Sequence, residues 1–432
     1  MFFFLCSLYI IKAKFQKITL GIQIIFGLIM GVLYGFILKI TSPWHLTFID
    51  TFLSVIGQGY LGLLKMLVVP LIITSIIHAV LNVGNDHALV QTKGHSSKIK
   101  KLSLVACILL LSMTACSAMI GILVGIMFHV GKGLAISNVN FLGSHVSLSL
   151  ADTILKMLPV NPVASMMQEN SIAIVIFALL LGIAARQLKG SENDKMKTFS
   201  QLIFALFAVV KNLTKIILAI TPYGIFALIS LLIFSQGSII LNGLLNFMMA
   251  MYFAMAVVVI AHGVVLYAVT GMSPYQYFKN AYMPLFVAFT TRSSFATLPV
   301  TEETLRIKFK AHQVVSTLVP SIGATIGMNG CAGIFPAMLV VMTLTISHQV
   351  ITWQLALSVM FINAIASLGI SGIPGTAFIA ASVTLTSLNL PMSVLGLVQG
   401  IDPIIDMGRT AVNVNGVMIT ALASDKLTAY ND

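Results

Sequence analysis

The sequence predicts an all-α integral membrane protein with eight transmembrane helices and two re-entrant helical hairpins. Three observations lead there. Of 432 residues, 58% are hydrophobic and 8% charged, whereas a soluble chain carries about a quarter charged residues. Eight apolar segments are each long enough to cross a hydrocarbon core of about 30 Å. Two further stretches are half apolar and are interrupted midway by Ser, Gly and Pro. No long polar linker divides the chain, so 1–432 reads as a single membrane domain.

The apolar segments fall at 18–38, 51–82, 102–130, 166–186, 199–233, 240–271, 311–346 and 391–422. Pro70 lies inside the second and Pro222 inside the fifth, tolerable where neighbouring helices re-satisfy the freed carbonyls. The opening run Met1 to Ile11 is too short to cross as a helix, and its basic residues follow rather than precede it, unlike a signal peptide. It reads either as the stub of an extra helix or as a misassigned start.

Orientation follows from the lysines and arginines. Lys12, Lys14 and Lys17 precede the first span; Lys93, Lys98, Lys100 and Lys101 follow the second; Arg186, Lys189, Lys195 and Lys197 follow the fourth; Arg306, Lys308 and Lys310 precede the seventh. The alternate loops near 41–50, 131–150, 234–239 and 347–352 hold one lysine between them. This asymmetry puts both termini in the cytoplasm. It also accounts for the net charge of +12 without nucleic acid, since no basic face is interleaved with aromatics. Cys6, Cys107, Cys116 and Cys331 lie in apolar surroundings without metal-ligand or disulfide-framework spacing.

The interrupted stretches are 273–303, broken at Ser293-Ser294-Phe295-Ala296-Thr297-Leu298-Pro299, and 354–390, broken at Ser367-Leu368-Gly369-Ile370-Ser371-Gly372-Ile373-Pro374-Gly375. Non-helical backbone at membrane depth survives only where protein or a water-filled cavity satisfies it, so paired breaks point to a binding site. The charge pattern places the base of the first hairpin inside and that of the second outside, an inverted repeat. The competing reading is a pair of polar loops in water.

Only four of 24 basic residues are Arg, and Arg292 and Arg409 sit within apolar sequence. A charge at mid-bilayer costs roughly 2.5–3.5 kcal/mol on insertion scales and needs an interior partner. In the last span Asp402, Asp406, Arg409, Thr410 and Asn413 recur at spacings of three and four, on one helical face. The face offers a carboxylate for an ammonium, a guanidinium for a carboxylate and an amide for further oxygens, matching a zwitterion with an additional acidic group. The alternative is mutual neutralisation of Asp406 and Arg409. Asp402, beside Pro403, is placed to cap, to pair or to accept a proton. Arg292 either orients the substrate region or pairs with Asp406 or Glu302. In the seventh span, Gly323 to Gly333 holds four glycines in eleven residues, which predicts an unwound segment. Its carbonyls, with Thr325 and Asn329, suit a small hard cation; close helix packing through small residues is the alternative.

Thr291-Arg292-Ser293-Ser294, the stretch Gly323 to Gly330, Gly372-Ile373-Pro374-Gly375 and Asp406-Met407-Gly408-Arg409-Thr410 with Asn413, in this order, resemble the dicarboxylate/amino acid:cation symporters, which include glutamate transporters. Leu64-Lys65-Met66-Leu67 and Thr221-Pro222-Tyr223-Gly224 add weaker likeness. Gly327-Met328-Asn329-Gly330-Cys331-Ala332-Gly333, followed by Phe335-Pro336-Ala337-Met338-Leu339, is similar to the bacterial L-cystine uptake branch.

The resemblance implies a bacterial inner-membrane symporter, a homotrimer working by an elevator motion. Helices 1, 2, 4 and 5 within 1–235 would form its scaffold. Helices 3, 6, 7 and 8 with both hairpins would form its mobile transport part. It implies that Asp406 holds the substrate ammonium, Arg409 an acidic group, and Asn413 and Ser294 the α-carboxylate, with Ser293 and Thr410 beside them and Ile373 and Gly375 in the hairpin lid. Asn329 and Val417 stand where the family has cation-binding carboxylates. A remaining sodium site would draw on Thr325, Met328, Asn329, Ser367, Leu368 and Ile370; proton coupling through Asp402 or Asp406 is the alternative, and no other cofactor is implied. The rival substrates are glutamate, aspartate or a C4-dicarboxylate. A channel would show a ring of like charges or an unbroken polar stripe, and an enzyme a nucleophile and base or a metal triad; the sequence carries neither. His78, His87 and His95 read as interfacial or loop residues.

Overall fold

The computed structural model describes residues 20–41, 47–82, 96–134, 158–168, 170–188, 193–369, 372 and 375–428. Met1 to Ile11, Lys12, Lys14, Lys17, His87, Lys93, His95, Lys189, Ile370 and Ile373 lie outside them. Regular structure among the described residues is entirely helical. The first part of the chain forms α1 (Leu20–Thr41), α2 (Thr47–Asn82), α3 (Ser96–Met127), α4 (Pro162–Met167), α5 (Ser171–Leu188), α6 (Asn193–Ala219), α7 (Thr221–Gln236) and α8 (Ser238–Thr270). Among the described residues, six stretches are long and apolar enough to cross a membrane: α1, α2, α3, α6, α8 and Asn329–Ile346. The fold is therefore that of an all-α, multi-pass membrane protein.

Two expected spans are each divided. The segment 199–233 breaks at Ile220, because Pro222 starts a helix rather than sitting inside one; in the first turn its missing N–H removes no helical hydrogen bond. The segment 391–422 divides in the same way into α15 (Ser393–Val398) and α16 (Asp402–Thr428), with Pro403 in the first turn of α16. Pro70 does remain inside an unbroken α2, where Thr74 Oγ1 donates to its carbonyl at 2.7 Å.

Between these parts the chain forms α9 (Pro274–Thr291), α10 (Ser294–Ile307), α11 (Gln313–Gly323), a π-helical turn (Asn329–Ile334), α12 (Phe335–Ile346), α13 (Trp353–Ala366), a 3-10 turn (Ser367–Gly369) and α14 (Ala377–Ser387). α9 packs on α10 and α13 on α14, so each interrupted stretch doubles back on itself. The first reversal uses Arg292 in the left-handed region at φ +54°, followed by Ser293, whose hydroxyl accepts from Ala296 N as the cap of α10. The seventh segment unwinds where its glycines cluster: α11 ends at Gly323, Gly327 takes φ +76°, and the helix resumes only through the π turn.

Packing falls into two neighbourhoods. α1, α5 and α6 lie around α2 and α7, with Tyr60 of α2 hydrogen-bonded to Thr221 of α7 at 2.9 Å and His78 of α2 against Phe204 and Phe207 of α6. α3, α8, α9 and α11 surround α16, and α3 also packs on the π turn, α12 and α13. As a result α16 is buried along nearly its whole length, so its charged residues face protein rather than lipid.

Candidate substrate site

Arg409 is fully buried, and its Nη2 donates to Asp402 Oδ1 at 2.6 Å and to Asp406 Oδ1 at 3.1 Å. Asp402 therefore pairs, one of the three roles its position allowed. The guanidinium lies 4.2 Å from the Phe335 ring centroid, within cation–π range. Of its five N–H groups, those on Nε and Nη1 have no partner. A buried donor left unmade costs about 1–3 kcal/mol, so an oxygen-bearing ligand that accepts from these groups recovers that cost.

The surrounding backbone approaches closely. A Cβ on Gly330 would lie 2.6 Å from the Arg409 carbonyl oxygen, so only glycine lets the π turn lie against α16. Asn413 Oδ1 accepts from Gly330 N at 2.8 Å, and its Nδ2 contacts Cys331 Sγ at 3.1 Å. Its amide thus braces the turn, a use the sequence did not reveal. Thr410 Oγ1 donates to Asp406 O at 2.8 Å, within the helix.

Both reversals and the unwound segment meet. Ser293 Oγ donates to Gly372 O at 3.0 Å, Phe295 N donates to the same oxygen at 3.2 Å, and Gly372 N donates to Ala324 O at 3.0 Å. A Cβ on Gly372 would strike Ser294 and the Ala324 carbonyl. Ser294 is buried at this junction, while Gly375, at φ +84°, faces Leu218 of α6. Arg292 lies within electrostatic range of Asp406. Asn363 ties the second reversal to the π turn, its Nδ2 donating to Gly333 O at 3.0 Å and its Oδ1 accepting from Thr384 at 2.6 Å.

The cation set divides. Asn329 is spent on Thr114 and His262, each at 2.9 Å, and the Met328 carbonyl accepts from Ala332 N and Gly333 N. The Met328 carbonyl has both lone pairs engaged, whereas the Asn329 oxygen accepts from Thr114 alone and keeps one. Thr325 and Ser367 direct their hydroxyl protons to Ile322 O and Ala364 O, which leaves oxygen lone pairs open to a cation.

The whole described core matches one family model, sodium:dicarboxylate symporter, over residues 20–427. The chain belongs to that family. This symporter is 34% identical over 443 residues to an uncharacterized symporter of Haemophilus influenzae, covering 98% of each chain. It is 34% identical over 422 residues to the L-cystine uptake protein TcyP of Bacillus anthracis, covering 94% of this chain and 88% of the relative. With TcyP of Bacillus licheniformis it shares 32% over 427 residues, covering 95% and 88%. It is a secondary-active transporter and not an enzyme.

Polar side chains that reading the sequence missed also bond about the π turn and α16: His262, Asn415, Tyr277, Thr114 and Tyr252, whose hydroxyl donates to Ile404 O at 2.7 Å. His262 carried a usable signal, an ionisable side chain in the middle of an apolar run.

Proposed function

We propose that this symporter takes up L-cystine, coupled to a cation gradient across a bacterial inner membrane. The observation that carries the reading is the buried Arg409, with three N–H groups unspent between two carboxylates. Asp406 takes the substrate ammonium and the free edge of Arg409 takes an acidic group, with Asn413 and Ser294 at the α-carboxylate and Ser293 and Thr410, whose hydroxyl protons go to Gly372 O and Asp406 O, beside them. Charge counting favours cystine over glutamate. Asp402, Asp406 and Arg409 sum to −1, with Arg292 within electrostatic range of Asp406, so anionic glutamate needs one more cation for balance than neutral cystine. Thr325, Ser367 and Leu368 supply oxygens for the coupling cation. The two TcyP relatives are L-cystine uptake proteins, which supports the same choice.

The architecture belonging to this reading has eight spanning helices and two re-entrant hairpins in inverted repeats, with both termini cytoplasmic and three copies per assembly. α1, α2 and α5 to α7 form the scaffold; α3, α8, the hairpins, the broken helix and α16 move against it. Support comes from the contacts between the two parts, which are fewer than those within each. Lys211 of α6 lies 5.3 Å from the Phe295 ring, and a cavity of about 400 Å³ lined by Lys65, Met66, Met167, Ser382 and Met392 separates α2 from α14.

The test is uptake of labelled cystine, aspartate and glutamate by proteoliposomes, with sodium and pH gradients imposed separately. Cystine accumulation driven by one gradient is the expected result. Aspartate uptake unaffected by cystine overturns the substrate assignment.

A further inference from the structure

The two carboxylates beside Arg409 are not equivalent. Both bond to one nitrogen, Asp402 Oδ1 lying 2.6 Å and Asp406 Oδ1 3.1 Å from Nη2. The Asp402 side chain is the more open of the two, 12% exposed against 5%. Among the described residues Arg409 is its one hydrogen-bond donor, through Oδ1, so Oδ2 remains available to a ligand. The first turn of α16 does not use Asp402 as a cap, because Ile404 N and Ile405 N both donate to Ile401 O. Asp402 and Asp406 share a helical face one turn apart, which sets their Cβ atoms about 5–6 Å from one another.

Cystine is two identical amino acids joined through their side chains, and it carries two ammonium groups and two carboxylates. The site described above matches three of these four: Asp406 one ammonium, Arg409 one carboxylate, and Asn413 with Ser294 the other. The second ammonium would leave water for a buried site with no acceptor, which is strongly unfavourable for an isolated charge. A disulfide holds its two Cα atoms about 4.4–6.8 Å apart, an interval that includes the spacing of the two aspartates. The unmatched cation of the ligand and the open oxygen of the protein therefore fall together. Glutamate has a single ammonium and leaves Asp402 Oδ2 without a partner.

We propose that Asp402 is a specificity-determining residue that holds the second ammonium of the substrate, so that the site selects paired amino acids linked through their side chains by a short bridge. The inference rests on the reading of Asp406 and Arg409 as the substrate site and names the class of substrate which that site takes.

The experiment is a thermodynamic cycle on purified protein in nanodiscs, at saturating sodium and fixed pH. Dissociation constants are measured for labelled cystine and, by competition, for the mixed disulfide of cysteine with mercaptoethanol, in wild type and in Asp402→Asn. Neither ligand has a net charge, so the altered charge of the site does not separate them. A purely structural role for Asp402 weakens both alike. The preference for cystine over the mixed disulfide should fall by roughly tenfold in Asp402→Asn, the scale of one charge-assisted hydrogen bond. A preference within about twofold of the wild type overturns the proposal. If the variant does not fold, the wild type decides, with the mixed disulfide of cysteine and mercaptopropionate, which keeps the far carboxylate and lacks the far ammonium. It should bind roughly tenfold or more weakly than cystine, and equal binding overturns the proposal. Wild type that binds no cystine overturns the substrate reading and this inference with it, whereas cystine binding with an unchanged preference overturns this inference alone.

Discussion

Replacing Asp402 by Asn isolates the charge that most constrains which substrate enters. The change is nearly isosteric and keeps an oxygen facing Arg409 Nη2, now 2.6 Å from Asp402 Oδ1. Arg409 retains Asp406 at 3.1 Å, so the guanidinium is not left alone. The loss is one charge-assisted hydrogen bond, about 1.5–3 kcal/mol of stability, short of the 3–5 kcal/mol for fully breaking a buried pair. The site's net charge moves from −1 to zero. An anionic substrate centred about 6 Å from a unit charge, at an effective dielectric constant near 20, is relieved of roughly 2.8 kcal/mol of repulsion. That corresponds to about a hundredfold in affinity as an upper bound. Cystine has no net charge and gains little. Competition by glutamate for labelled cystine uptake, at saturating cation and fixed ionic strength, should therefore strengthen by roughly ten- to hundredfold in Asp402→Asn. A ratio of glutamate inhibition to cystine affinity within about twofold of the wild type, in folded protein, would refute the charge-balance reasoning.

Arg409→Cys should abolish uptake of cystine and acidic amino acids while sparing small neutral ones, read from a panel of labelled substrates; unchanged cystine uptake removes Arg409 from the site. Asp406→Asn should impair every amino acid substrate, because the ammonium is common to all, and selective loss of one would contradict that role. Gly330→Ala pushes a methyl group into the Arg409 backbone and should cost about 1–3 kcal/mol, seen as a lower unfolding temperature together with lost uptake.

Reading the sequence recovered a multi-pass, all-α membrane protein because lipid leaves few choices: apolar length follows from the solvent, independent of which helices touch. It also recovered both interruptions and the unwound seventh segment, since serine, glycine and proline mark backbone that cannot continue as helix. The proline rule misled at Pro222, because the same residue breaks a helix from inside and begins one from its first turn; neighbouring packing chooses between these outcomes.

What the chain order determined alone was a membrane-spanning helical protein whose polar side chains gather on one face of its last helix. Which of those side chains face a ligand and which brace the protein was decided only by tertiary contact. Asp402 is seven residues from Arg409 along one helix, and spacing could suggest their pairing. Nothing in the order of residues places His262 between Asn329 and Asn415, or brings Gly372 onto Ser293, for hydrogen bonds are directional and join whatever groups packing sets within 3 Å.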